Sequence, residues 1–156
     1  MKKLFLYVFL VLLWCNVGFT EGTWGIKQLY LIVEDVDEKG EKQCLITRKD
    51  IETRIKYIIA NSKLELTSDF GAPILWFQPI IIGDEYTCSG VLYLRIHQHT
   101  TYSKHNPKGF PVSGPFVFYE KSGIAKNTPS KFKDYYLSFV DDLARQLVVD
   151  WHEDNK

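Results

Sequence analysis

Residues 86–102 read YTCSGVLYLRIHQHTTY, and the fold turns on how that run divides between two faces. Successive side chains of a strand point to opposite sides of its sheet. Cys88, Leu92, Leu94 and Ile96 share one parity, while Tyr93, Arg95, His97 and His99 share the other. The first set is apolar and faces a core. The second is aromatic and polar, as on an antiparallel sheet with one packed and one solvated face.

Upstream, Ile74–Ile82 is an apolar run interrupted by Pro79, and Gly83-Asp84-Glu85 turns it into the long strand. Proline cannot donate to a ladder, so this run is an edge strand or carries a bulge. Leu64, Leu66 and Thr67 form a shorter strand before the loop 68–73. Thr47 with Asp50 three residues later has the form of a capping box, and Ile51, Ile55, Ile58 and Ile59 give the helix that follows an apolar side. Gln28–Val36 is a first strand, and the acidic stretch through Gly40 is a polar loop.

Downstream, Ser103–Gly114 reads as a long hairpin connection and Pro115–Ser122 as the returning strand. Asn127-Thr128-Pro129 starts a second helix, with Thr128 as cap and Pro129 in the first helical position. Phe132, Tyr136, Phe139, Leu143, Leu147 and Trp151 recur at helical spacing and form its buried stripe. The polar tail His152–Lys156 is expected to fray. These elements predict an α+β fold: an antiparallel meander of about four to five strands with two helices packed on one face.

The first residues carry an export pattern. Lys2 and Lys3 precede the apolar run Leu4–Trp14 and a stretch ending in Gly18, Phe19 and Thr20. Eleven apolar residues fall short of the ~20 that a membrane-spanning helix needs, so residues 1–20 read as a cleavable signal and 21–156 as one domain. A periplasmic or secreted location follows, with membrane contact only through the signal segment if it stays uncleaved. Losing residues 1–20 removes two lysines and no acid, so 19 basic and 19 acidic side chains become 17 and 19. That near-neutral balance, without a basic cluster, argues against nucleic acid as a partner. Cys15 leaves with the signal, and the remaining even pair, Cys44 and Cys88, is expected to form a disulfide.

Three places could carry chemistry. His97 and His99 point to one side of a strand and could hold a metal with Glu120 from the next strand as third ligand, although Arg95 on that side opposes it. The face of Tyr93, Arg95, His97 and His99, with Phe118 and Glu120, could instead bind a partner, because Tyr and Arg are enriched in interface anchors. A slip of one residue across the long loop would exchange Phe118 for Tyr119. The loop itself offers His105, Asn106, Lys108 and Phe110. A small-ligand carrier would need a pocket lined by Trp76, Phe77 and Phe118. No nucleophile elbow, phosphate loop, His-Glu-x-x-His or Cys-x-x-Cys occurs, and no cofactor or catalytic residue is expected.

Leu31-Ile32-Val33-Glu34-Asp35, Leu45-Ile46-Thr47 opening a helix, Leu92-Tyr93-Leu94 and the terminal Val149-Asp150-Trp151 follow the short signal. This pattern resembles small exported proteins of Gram-negative bacteria to which no activity is attached. The order of elements is also similar to α+β domains of envelope assembly and lipoprotein cofactors, which implies a binding or accessory role with an envelope protein.

Overall fold

The computed structural model describes Thr23 and residues 25–102 and 112–156, with side chains described outside 99–116. The expected signal at residues 1–20 and the loop candidates His105, Asn106, Lys108 and Phe110 lie outside the described residues. The elements are β1 (Gln28–Val33), α1 (Glu38–Cys44), α2 (Arg48–Ala60), β2 (Glu65–Thr67), β3 (Ile74–Gly83), β4 (Cys88–Tyr102), β5 (Val112–Asn127) and α3 (Pro129–Asp154). They form an α+β fold with one five-stranded sheet in the order β2-β1-β3-β4-β5.

Two features correct the expected meander. The sheet is mixed, because β1 runs parallel to both β2 and β3, while β3, β4 and β5 are antiparallel. Parallel neighbours need a long crossover, and the chain from Glu34 to Leu64 supplies one with its two helices. The second correction is α1, a third helix in the stretch read as a polar loop. Asp37 caps it by accepting from the Lys39 N–H at 2.9 Å. Its one glycine, Gly40, lies so close to β3 that a Cβ there would fall 2.8 Å from the Ile81 carbonyl oxygen. Its Glu, Lys and Gln residues are good helix formers, and close packing on β3 offsets the cost of a glycine in so short a helix.

Pro79 sits inside the sheet order but not inside a complete ladder. The Glu34 N–H donates to the Phe77 carbonyl, so the odd residues of β3 turn their polar backbone groups toward β1. β1 ends at Val33, opposite Phe77, so the donor that Pro79 lacks would point past the end of that strand.

One side of the sheet presents Leu29, Leu75, Phe77, Leu92, Leu94 and Ile96, all fully buried, to the helices. Ile51, Ile55 and Ile59 of α2 and Phe132, Tyr136, Val140 and Leu147 of α3 complete the core. The capping box of α2 is present in full: Thr47 and Asp50 exchange side-chain-to-backbone bonds, and Lys133 of α3 reaches Asp50 at 3.0 Å. Burial alone would raise the Asp50 carboxyl, but the bonds from Lys133 and Thr47 hold it below its ordinary value. Pro129 takes the first turn of α3, while Thr128 makes no side-chain capping bond.

α3 seats on two glycines: a Cβ at Gly90 would overlap Tyr136 and Phe132, and one at Gly123 would overlap Phe139. Its end is anchored rather than frayed, since Asp154 accepts from the Thr23 N–H at 2.7 Å and Asn155 from the Gly25 N–H at 2.8 Å. Cys44 and Cys88 are disulfide-bonded and fully buried, tying the end of α1 to the start of β4. The bond excludes Cys88 as a free nucleophile.

Candidate functional site

All three helices pack on the side that carries Leu92, and among the described residues no helix or strand covers the other side, where Phe70 of the 68–73 loop stacks on Tyr30 at its edge. Register assembles that open face into cross-strand rows. Ile32, Trp76, Arg95 and Glu120 make one row across β1, β3, β4 and β5. Gln78, Tyr93 and Ser122 make the next, followed by Ile80, Val91 and Ile124, while Ile74, His97 and Val117 flank the first row on its other side.

The Trp76 row is held together electrostatically. The Arg95 Nε donates to Glu120 Oε2 at 2.8 Å. The same guanidinium carbon lies 5.4 Å from the Trp76 ring centroid and 5.7 Å from that of Tyr93. A cation placed over ring faces is attracted by their negative quadrupole. His97 meets Trp76 edge-on, with centroids 6.0 Å apart. The result is a pre-ordered platform of Trp76, Tyr93, Arg95, His97 and Glu120. It is bordered by the aliphatic row of Ile80, Val91 and Ile124, of which Ile80 is 44% and Ile124 75% exposed.

The sequence assigns Tyr93, Arg95, His97 and Glu120 to this face, and the structure brings them together. The His99 side chain lies outside the described residues. Phe118 is displaced: β5 bulges where Ile96 pairs with Tyr119 but His97 pairs with Val117, leaving Phe118 as the extra residue. Val117 takes the place opposite His97. Phe118 packs against the core and borders an open depression of about 900 Å³ with Gln98, Ile26 and Trp151.

The metal arrangement is likewise redistributed, since Glu120 faces Arg95, one row away from His97. Among the described residues no group of three His, Cys, Asp or Glu side chains could hold a metal. Trp76, Phe77 and Phe118 do not line one pocket. Trp76 belongs to the open face, Phe77 is buried under the helices, and Phe118 lies at the end of the helix side.

Trp76 is the residue that reading the sequence as a single apolar run leaves unplaced. Gln78, the one polar residue of Ile74–Ile82, carries the missing signal, because its parity marks Trp76, Gln78 and Ile80 as facing away from the core. Tyr119, on the opposite side, donates its hydroxyl to Asp150 at 2.7 Å. Burial, together with the nearby Asp150 carboxylate, pushes that phenol well above its ordinary value.

Fold and face together define, among the described residues, a two-layer α+β arrangement with one side of the sheet covered by helices and the other without a helix layer. The chain matches no family model and shows no significant similarity to any curated protein. Among solved structures it is similar to the crystal structure of a minor lipoprotein from Acinetobacter baumannii, with a TM-score of 0.37 and 16% sequence identity over 81% of this chain and 90% of that chain. Within the described residues no helix is long and apolar enough to cross a membrane.

Proposed function

We propose that this chain is an exported, non-enzymatic accessory domain of the small Gram-negative type, working in the periplasm or outside the cell, and that it binds an envelope protein through its uncovered sheet face. The observation that carries the reading is the Trp76–Arg95–Glu120 row, a cation held over aromatic rings and paired with a carboxylate on a face with aliphatic borders. Aromatic and arginine anchors surrounded by apolar surface are what protein interfaces concentrate at their centres. The buried Cys44–Cys88 bond supports an oxidising compartment, where such bonds persist.

The test is capture from envelope extract by wild type, Trp76→Ala, Arg95→Glu and a control on the helix side, Lys56→Glu. The proposal expects one protein to be retained by wild type and Lys56→Glu and lost by both face variants, each with an unchanged far-ultraviolet spectrum. Retention of every captured protein by the face variants would overturn it.

A further inference from the structure

β5 is an edge strand, and among the described residues no element lies beyond it. The direction of its backbone groups follows from the sheet. Even residues of β3 bond β4, as the Asp84 N–H donating to the Thr87 carbonyl at 2.9 Å confirms. Odd residues of β4 therefore face β3 and its even residues face β5. Since Leu92 pairs with Gly123, the odd residues of β5 from Tyr119 onward, beyond the bulge, are satisfied by β4. The even ones, Glu120, Ser122, Ile124 and Lys126, turn their N–H and C=O groups outward.

We propose that this edge pairs antiparallel with the same edge of a second copy of this chain, about a two-fold axis through Gly123. The proposal does not rest on the binding role of the open face, although it shares with that face Glu120, which Arg95 also bonds, and Ile124. In that register Glu120 faces the second copy's Lys126 and Ser122 faces its Ile124, so all four of these outward residues of each strand find a hydrogen-bonding partner. A shift of two residues either way leaves an outward residue at the bulge or at the start of α3, and removes the charge match. Edge lysines ordinarily deter strand pairing. Here Lys126, which already lies near Asp84 of its own chain, also meets Glu120 of a strand that repeats its own pattern.

The helix layer agrees with this geometry. α3 sits between β4 and β5, with Tyr136 over Gly90 and Phe139 over Gly123. The two-fold axis would place the two α3 helices two strand spacings apart, ~10 Å, at the upper end of the ~8–10 Å range of packed helices. On the Phe139 side of α3, toward the axis, Tyr135 is 51% exposed. The opposite flank of α3 is taken by α2 through Lys133–Asp50 and Arg54–Asp141. Pairing would join two sheets into one of ten strands and leave the open face uncovered on both copies.

Sedimentation of the disulfide-bonded chain tests this, with dimer expected at concentrations on the order of 10 µM. Ile124→Pro removes an outward N–H and no bond to β4, so it is expected to stay folded and to weaken the dimer at least tenfold. Carbodiimide treatment of mixed light and heavy isotope-labelled wild type is expected to join Lys126 of one chain to Glu120 of the other. A wild type that sediments as a monomer at ten times that concentration, or a cross-linked dimer lacking the Lys126–Glu120 link, would overturn the proposal. So would a dimer that a folded Ile124→Pro leaves at full strength.

Discussion

Trp76 and Phe77 are neighbours in the chain, yet Phe77 is fully buried beneath the helices while Trp76 lies against the Arg95 guanidinium on the uncovered side. The same contrast runs along β4, where Leu94 and Ile96 are completely buried and Arg95 between them is bonded to Glu120. On the helix side, stabilisation comes from removing apolar area from water, at roughly 25 cal/mol per Å². On the open side, among the described residues, no second layer provides that burial, and the Trp76 and Tyr93 rings lie under the Arg95 cation. One strand thereby supplies both the core and the surface available for recognition.

Exchanging large for small on each side breaks the comparison most sharply. Phe77→Ala is expected to cost about 3–5 kcal/mol in urea unfolding, because it leaves a cavity beneath the helix layer. Trp76→Ala should cost well under half as much, and equal losses would show that the open face is as tightly packed as the core. Reducing Cys44–Cys88 comes close behind. The bond closes a loop of about 45 residues, and its removal should lower stability by roughly 4 kcal/mol on the chain-entropy estimate.

Tyr119 sharpens the comparison at the border of the two sides. Tyr119→Phe is expected to cost about 1–2 kcal/mol by removing a part-buried hydrogen bond. Its pKa is raised on folding, so the phenol's contribution is complete below its ordinary value near 10.0 and is lost as pH rises above it. Wild-type stability should fall in that alkaline range more steeply than that of Tyr119→Phe. Asp50 acts at the opposite end of the scale. Its pKa is lowered, so its contribution is present above about 3.8 and lost as pH falls through the folded value. Asp50→Asn should cost about 1 kcal/mol at neutral pH and flatten the acid limb of the stability profile.

Much of the site was legible because it is written at period two. Arg95 and Glu120 fall on the same side by alternation, and their bond needs only the β4–β5 register to form. Phe118 was not legible, since a bulge depends on how two strands fit around Ile96 and His97 rather than on the identity of the extra residue. Trp76 was hidden for a different reason. A run of apolar residues gives no contrast between faces, and its one polar member, Gln78, was needed to set the parity.

The sequence by itself determined the elements whose causes lie within a few residues: the Thr47–Asp50 box, proline in the first turn of α3, the stripe from Phe132 to Trp151 and the alternation through β4. Only the tertiary structure decided that β1 lies parallel between β2 and β3, that Glu38–Cys44 is helical and that Phe118 leaves the open face. Each of these depends on a partner distant in sequence: Phe77 accepting from Glu34, Ile81 packing on Gly40, Ile96 pairing with Tyr119. Local periodicity records which side of an element is apolar. Which element it meets is set by the packing that buries that side best.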